Sequence, residues 1–515
     1  MRRIGSLIAV SVLTIGVVVH AQEADTTKPA RKPALYVVGT SHLDTQWRWS
    51  IRQTINEFIP ATFADNYRLM DLYPDYVFSF EGAFRYMLLR EYRPDLYARL
   101  KPLMTSGRWR PAGSWVDASD VNVPSFESLV RHALYGNGFF RREFGVTSRD
   151  VFLPDCFGFG YALPSIARHC GIESFSTQKL TWGSSVGVPF DIGVWEGVDG
   201  SSLVAALNPG EYVSRIESDL SRDTTWLQAA EKQEKESGLP AAYRYFGTGD
   251  TGGAPDSASV AWLAKSQHSD GPLTVKSIGS DDLIEIAAQT RRADLPRYKG
   301  ELLMTRHGVG CYTSQATMKR WNRQNELLAD ATERAAVTAA LLGAAAYPRE
   351  ELQDLWVRFL WHQFHDDLTG TSIPEAYEFS WNDEILCQNR FAAMLKHSIA
   401  LISPALDTRG QGIPLIVYNP LAFPREDIVT ATLTRPSGWL DHALVFGPDG
   451  AEVPSQVTRR AGDSLTVAFV AKVPSVGYAV FDIRPSATPC TIQTDLRVST
   501  SSLENHTYRV QVSAA

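Results

Sequence analysis

The chain has 515 residues, of which 44% are hydrophobic and 21% charged; this composition is that of a globular protein and excludes a disordered or fibrous one. At roughly 150 residues per domain, the length favours two to four domains. The formal net charge is −7, so we do not expect a nucleic-acid partner.

The N-terminus has the pattern of a secretory signal. Arg2 and Arg3 precede an apolar stretch over residues 4–19, and Val19 and Ala21 have the spacing that signal peptidase reads. A membrane anchor would need about 20 apolar residues, whereas this stretch is shorter and interrupted by hydroxyl side chains. We expect a signal peptide over residues 1–21, no membrane span after its cleavage, and an exported protein that is periplasmic or secreted.

Residues 33–310 alternate short β-rich runs with helix-length segments, which is typical of α/β architecture. The runs LYVVGTS, YVFSF, VFLP and YRYF are among the predicted strands. The segment SFESLVRHALYGNGFFRREFG has apolar residues at helical spacing, with Ser125 as the expected N-cap. We predict an α/β domain with a barrel-like (β/α) arrangement over these residues.

The pattern changes in the C-terminal half of the chain. Three Ala/Leu-rich or amphipathic segments with short connections predict a helical bundle over residues 311–405; one of them has Leu352, Leu355, Trp356, Phe359 and Leu360 on one face. Strand-like runs separated by Pro, Gly and Ser then predict a small β-sandwich over residues 411–486. Residues 487–515 are expected to begin a further β domain that is truncated.

The first candidate site follows the predicted strand LYVVGTS. Side chains at i and i+2 of a strand project from the same face, so His42 and Asp44 could reach one metal ion if the extended conformation persists. A histidine next to an aspartate can equally form an ordinary hydrogen bond, and this pair alone leaves both interpretations open.

Two further stretches hold carboxylates and histidines. Asp155 follows the predicted strand VFLP and precedes a glycine-containing loop, so it either faces a site mouth or caps the loop. In LWHQFHDDLTGTS, His362, His365, Asp366 and Asp367 lie at the end of a helical pattern that stops at Gly370. The two histidines either serve a site or are solvated helix residues.

A fourth stretch, YFGTGDTGGAP, places Asp250 among four glycines directly after a strand. Glycines allow the backbone to approach a ligand closely. A phosphate loop is disfavoured because the Lys-Ser/Thr pair of a P-loop is absent. Several of these stretches follow strands, where barrel-type enzymes place functional side chains, and a set of two His and two Asp suits Zn²⁺ with an open position.

These motifs together resemble glycoside hydrolase family 38, the retaining α-mannosidases. The stretches SHLDTQW, LPDCFGFGYALPSI, STQKLTW, GTGDTGGAP, CYTSQATMKRWNR and HQFHDDLTGTS occur in the family's order, and the similarity covers roughly residues 35–425. The resemblance implies a zinc-dependent glycosidase that acts on mannose-containing oligosaccharides or glycoprotein glycans. Nothing in the sequence fixes the oligomeric state.

The resemblance also implies roles for individual residues. Zinc would be bound by His42, Asp44, Asp155 and His365, and Asp155 would also be the nucleophile. The sugar would stack on Trp47, with Phe157 beside it in the pocket and Asp366 as a carboxylate for sugar hydroxyls.

The chain departs from the family in two ways. Family members carry an acid/base aspartate before the YTS motif, whereas GELLMTRHGVGCYTSQA contains no aspartate. We therefore take Asp250 as the preferred candidate for the acid, and Glu301 and His307 as the next candidates. The large C-terminal β-rich region of the family is mostly lacking, so we expect a fragment or truncation. Two alternatives stay open: a metal-dependent polysaccharide deacetylase-like hydrolase, and an inactive truncated glycan-binding protein.

Overall fold

The structure is a computed structural model that describes residues 31–513. The predicted signal peptide at residues 1–21 therefore lies outside the described residues. Within residues 31–513, no helix has both the length and the hydropathy needed to cross a membrane.

Strands and helices alternate in the N-terminal region, as the sequence predicts. Its strands are β1 (Ala34–Ser41), β2 (Phe78–Glu81), β3 (Trp109–Ala112), β4 (Asp150–Phe152), β5 (Gly158–Phe159), β6 (Ser174–Ser176), β7 (Ile192–Glu196), β8 (Ser202–Ala206), β9 (Ala241–Thr248), β10 (Thr274–Ser277), β11 (Arg297–Lys299) and β12 (Leu302–Leu303). Its helices are α1 (Ile51–Gln53), α2 (Ile59–Leu72), α3 (Ala83–Tyr92), α4 (Pro94–Tyr97), α5 (Leu100–Thr105), α6 (Phe126–Phe144), α7 (Leu163–His169), α8 (Thr224–Ser237), α9 (Ser257–Gln267) and α10 (Leu283–Ala287).

These strands form two five-stranded sheets and an antiparallel β5–β12 pair instead of one closed barrel. In the first sheet β9 pairs with β1 along its whole length, while β10 and β2 share the other edge of β1 and β3 follows β2. The second sheet has the order β11-β7-β8-β6-β4, and its β7–β8 pair is antiparallel. The α/β class is confirmed, but the barrel-like arrangement is not, because an antiparallel pair interrupts the parallel repeat.

The central strand β1 is buried over all eight of its residues. A parallel strand that is covered on both faces reads as a continuous apolar run, and ALYVVGTS has this character. Leu35 and Val37 belong to the core beneath α2 and α3, while Tyr36 and Val38 belong to the core shared with β8 and β9. The end of β1 is therefore held on both faces, which positions the residues that follow it.

The helical region consists of α11 (Ala316–Leu341), α12 (Arg349–Leu360) and α13 (Pro374–Ile402). All five residues of the predicted apolar face of α12 are buried. The Thr332 hydroxyl of α11 donates to the Phe391 carbonyl of α13 at 3.0 Å, so these two long helices pack side by side. Helix α12 ends at Leu360 and passes into a 3₁₀ turn, Trp361–Gln363.

The C-terminal part is rich in β-structure. Its strands are β13 (Ile413–Asn419), β14 (Arg425–Thr434), β15 (His442–Phe446), β16 (Glu452–Val453), β17 (Ser455–Ala461), β18 (Ser464–Val473), β19 (Gly477–Ser486), β20 (Arg497–Val498), β21 (Ser502–Glu504) and β22 (Arg509–Gln511). Sheets β13-β19-β15-β16 and β14-β18-β17 share an apolar core in which the rings of Phe469 and Phe481 lie 5.0 Å apart. Strands β20, β21 and β22 form a third, small sheet.

Asp150, at the start of β4, joins the two sheets of the N-terminal region. Its backbone carbonyl accepts a hydrogen bond from the Ser114 amide at the end of β3, 3.1 Å away, and its Oδ1 accepts one from the Gly113 amide at 2.9 Å. Burial, assisted by the charge of Asp281, raises the pKa of Asp150 to about 7. Ionised Asp150 is therefore disfavoured in the folded protein.

We expect the contribution of Asp150 to stability to fall as the pH rises from about 4 to about 7, because unfolded aspartate titrates near pH 4 and folded Asp150 near neutrality. The variant Asp150→Asn cannot ionise at this position and lacks this loss. Its free energy of unfolding relative to that of the unaltered chain should therefore be on the order of 1–3 kcal/mol more favourable at pH 8 than at pH 4. Urea unfolding at both pH values measures this. The control is Asp354→Asn, which changes an exposed carboxylate of α12 and should keep the pH dependence of the unaltered chain. If Asp150→Asn also kept that pH dependence, the prediction would be contradicted.

Candidate functional site

The extended backbone continues beyond β1 and brings two polar side chains to one place. The His42 amide donates to the Thr248 carbonyl at 3.0 Å, and the Asp44 amide donates to the Asp250 carbonyl at 2.8 Å. His42 and Asp44 consequently project from the same face, as the strand period predicts, and His42 Nε2 lies 2.9 Å from Asp44 Oδ1. Both side chains are buried.

Glu81, at the end of β2, fixes the ring of His42. Its Oε1 lies 2.5 Å from His42 Nδ1, so that Nδ1 is the protonated nitrogen and Nε2 faces Asp44. Burial acts to raise the pKa of Glu81, but the charges of His42 and Arg85 outweigh it and lower the pKa. Sequence reasoning missed Glu81; the available signal was a carboxylate that closes the apolar run YVFSFE.

Asp155 lies in the loop after β4, where both oxygens of its carboxylate face cationic or imidazole groups. Its Oδ1 lies 2.5 Å from Lys179 Nζ, and its Oδ2 lies 3.6 Å from His365 Nε2. Although burial acts to raise the pKa of Asp155, the hydrogen bond with His365 and the charge of Lys179 hold it well below its usual range. Lys179, which sequence reasoning also missed, is almost completely buried.

His365 lies just beyond the 3₁₀ turn that follows α12, not on a continued helix. Its Nδ1 is 2.9 Å from the Ala118 carbonyl, which makes Nδ1 the donor. Its Nε2 lies 3.6 Å from each of three carboxylate oxygens, those of Asp44, Asp155 and Asp366. Three carboxylates thus surround one imidazole nitrogen.

These side chains fit a divalent metal ion. The buried atoms His42 Nε2, Asp44 Oδ1 and His365 Nε2 have no hydrogen-bond partner of good geometry, and an unsatisfied buried polar atom is costly. The ligand atoms of His42, Asp155 and His365 lie within 4.8 Å of one another, as do those of Asp44, His365 and Asp366. Imidazole and carboxylate together suit Zn²⁺ or a similar cation.

A cavity of about 350 Å³ opens beside this cluster. The residues that line it are Asp44, Trp47, Asp155, Phe157, Gln178, Lys179, Trp182, Glu211, Tyr212, Val213, Asp250, His307 and Asp366. Trp47 is half-buried, whereas Phe157 is buried against the ring of His365, 5.8 Å between centroids. The structure thus brings all eight sequence-predicted site residues to one cavity and its floor.

Two of the three candidate acids line the cavity, and one lies outside it. Asp250, with φ of +46°, accepts a hydrogen bond from the Tyr212 hydroxyl at 2.8 Å. His307 also lines the cavity, whereas Glu301 is exposed outside it. The cavity contains a further carboxylate, Glu211, which sequence reasoning missed because no motif surrounds it.

Comparison with known proteins places this architecture in one family. The family model for the glycosyl hydrolases family 38 N-terminal domain matches residues 32–301, and that for the alpha mannosidase middle domain matches residues 309–397. The chain belongs to glycosyl hydrolase family 38.

Similar curated proteins carry the name α-mannosidase. Alpha-mannosidase G of Dictyostelium discoideum is 33% identical over 370 residues, which are 70% of this chain and 33% of that protein. Alpha-mannosidase 2C1 of Homo sapiens is 30% identical over 426 residues, which are 82% of this chain and 39% of that protein. The chain therefore spans well under half the length of the curated relatives it matches.

A solved structure confirms the fold. An α-mannosidase from Enterococcus faecalis V583 superposes with a TM-score of 0.77 over 94% of this chain and 60% of that chain, at 16% sequence identity. The match extends from the α/β region into the β-rich C-terminal part, since it covers nearly the whole sequence.

We expect Glu81→Gln to weaken metal binding about 10- to 100-fold, because the carboxylate that orients His42 and increases its basicity is lost. Zinc affinity is measured by competition with a chromogenic chelator. The matched control is Glu384→Gln. Glu384 is a second buried glutamate, and burial raises its pKa to about 8. Glutamine therefore replaces a side chain that is already uncharged at neutral pH. Equal zinc affinity in the two variants would contradict this role of Glu81.

Proposed function

We propose that the chain hydrolyses terminal α-mannosidic bonds in mannose-containing glycans with retention of configuration. The observation that carries this proposal is the placement of Asp155, whose carboxylate joins the candidate metal cluster through His365 and lies in one cavity with a second carboxyl group, Asp250. Membership in family 38 and relatives named α-mannosidases support the substrate class.

Asp155 is proposed as the nucleophile. Its depressed pKa keeps the carboxylate ionised at neutral pH. Attack on the anomeric carbon forms a glycosyl ester while the leaving-group oxygen takes a proton from the acid/base residue. The same residue then removes a proton from water, whose oxygen displaces Asp155 and releases mannose with the α-configuration.

Zinc is the proposed metal, bound by His42, Asp44, Asp155 and His365. When bound, it would supply Lewis-acid contacts to vicinal sugar hydroxyls, of which O2 and O3 are cis in mannose. Trp47 offers a ring for stacking of the sugar, and Phe157 and Asp366 contribute an apolar wall and a hydrogen-bond acceptor.

Asp250 is proposed as the acid/base residue. Glu211 is the alternative, because its carboxylate also lines the cavity. Asp250 is held by the Tyr212 hydroxyl, so its position is defined, whereas Glu211 is exposed. His307 borders the cavity beside Phe157, with 5.7 Å between the ring centroids, and is the third candidate.

We also propose that the mature protein is exported, on the basis of the signal-like residues 1–21. Activity in a periplasmic or culture fraction tests the location.

Hydrolysis of an aryl α-mannoside by the purified chain tests the main proposal. We expect turnover that a chelator abolishes and zinc restores, with the α-anomer of mannose as the first product in the ¹H NMR spectrum. Asp155→Asn should have no detectable turnover, whereas Asp354→Asn should match the unaltered chain. Folded, zinc-loaded protein without turnover, or initial release of the β-anomer, would overturn the proposal. In a separate assay on an N- or O-acetylated glycan, release of acetate without release of mannose would favour a deacetylase-like hydrolase.

A leaving-group series identifies the acid. Asp250→Asn should lower kcat/KM about 10²- to 10⁴-fold on an alkyl α-mannoside, but much less on a dinitrophenyl α-mannoside, whose departure needs no protonation. Glu211→Gln is the matched control, with little effect on either substrate. If the selective loss occurs in Glu211→Gln instead, Glu211 is the acid.

A further inference from the structure

A second cavity, of about 520 Å³, lies between α6, α7 and the beginning of α12; we call it the α6–α12 cavity. It shares no lining residue with the cavity beside His365. The residues that line it are Val130, Arg131, Ala133, Leu134, Tyr135, Asn137, Gly138, Arg141, Arg142, His169, Cys170, Tyr347, Arg349, Leu352 and Gln353. The lining includes four arginines and a histidine, and no aspartate or glutamate.

Only one of the four arginines has its charge compensated within the described residues. Arg131 forms ion pairs with Glu127 at 2.7 Å and Glu333 at 2.6 Å. Arg141, Arg142 and Arg349 are exposed, and none of them lies within ion-pair distance of a described acidic side chain. Three uncompensated cations therefore face one cavity in a chain whose net charge is −7.

The three cations come from two separate elements. Arg141 and Arg142 lie in the last turn of α6, and Arg349 is the first residue of α12. A cation is unfavourable at a helix N-terminus because that end carries partial positive charge. Acidic residues do occur in this turn of α12, but Glu351 is paired with Arg390 at 2.5 Å and neither it nor Glu350 lines the cavity.

Two further polar side chains of the cavity can donate hydrogen bonds. The lining includes the hydroxyl of Tyr347 and the amide of Gln353. Guanidinium groups match the geometry of phosphate oxygens with paired N–H donors. The donors and the guanidinium charges without an acidic partner fit an oxyanion such as phosphate, and the volume of about 520 Å³ leaves room for a group esterified to it.

We propose that the α6–α12 cavity binds a phosphate group, either free or esterified to a sugar. The anion contacts Arg141, Arg142 and Arg349, whose mutual repulsion it relieves. The α6–α12 cavity shares no lining residue with the cavity beside His365, so the proposed phosphate site is distinct from the candidate active site.

Isothermal titration of the full chain with inorganic phosphate and with glucose 6-phosphate tests the proposal, with glucose as the uncharged control. We expect saturable binding of a phosphate probe and none of glucose. The double variant Arg141→Gln/Arg142→Gln, and separately Arg349→Gln, should bind at least ten times more weakly. Equal affinity for the two probes would mean that the anion alone is recognised. Tighter binding of glucose 6-phosphate would mean that the sugar adds contacts. Both results would support the proposal.

Arg320→Gln is the matched control, since Arg320 is an exposed arginine of α11 that does not line the cavity. It should bind phosphate like the unaltered chain. Because all these arginines are exposed, the variants should fold, which circular dichroism checks. The absence of saturable phosphate binding, or affinity that survives in the Arg141/Arg142 and Arg349 variants, would overturn the proposal and leave the arginines as solvated surface residues.

Discussion

Three carboxylates lie 3.6 Å from one buried imidazole nitrogen, His365 Nε2, and the rest of the site is arranged around this concentration of charge. Buried like charges repel one another strongly because little solvent screens them. Cations, metal ligation or protonation must compensate the cluster, and burial raises the pKa of both Asp44 and Asp366. The unsatisfied nitrogens of His42 and His365 give the cluster the donor set that a divalent ion requires.

Residues outside the cluster decide which atoms face its centre. Glu81 and the Ala118 carbonyl each occupy one ring nitrogen of a histidine, so the other nitrogen of each ring faces the carboxylates. Lys179 has the corresponding effect on Asp155, where it occupies Oδ1 and leaves Oδ2 toward His365. The carboxylate of Asp155 therefore contacts both Lys179 and His365, and it also lines the cavity beside the candidate metal cluster.

Sequence periodicity predicts the parts of this arrangement that are local. His42 and Asp44 share a face because the strand conformation persists beyond β1, and the buried face of α12 follows from its helical spacing. Glu81 and Lys179 could not be found in this way, because each meets its partner from a different part of the fold. The barrel-like expectation is not confirmed for a similar reason: alternating strands and helices do not reveal that β7 and β8 pair antiparallel or that β10 and β2 share one edge of β1.

One of the glycines around Asp250 has a packing role that the sequence did not indicate. A Cβ on Gly249 would lie 1.9 Å from the ring of Tyr212, so this glycine makes room for a protein side chain. Tyr212 can then donate to Asp250, whose left-handed conformation is tolerated by aspartate. Strained backbone persists where its surroundings fix it, and here the Asp250 carbonyl is also held by the Asp44 amide. The segments that follow β1 and β9 therefore hold each other in place and position Asp44, a candidate metal ligand, and Asp250, the candidate acid. For this reason the two carboxylates line one cavity although they lie more than two hundred residues apart in the chain.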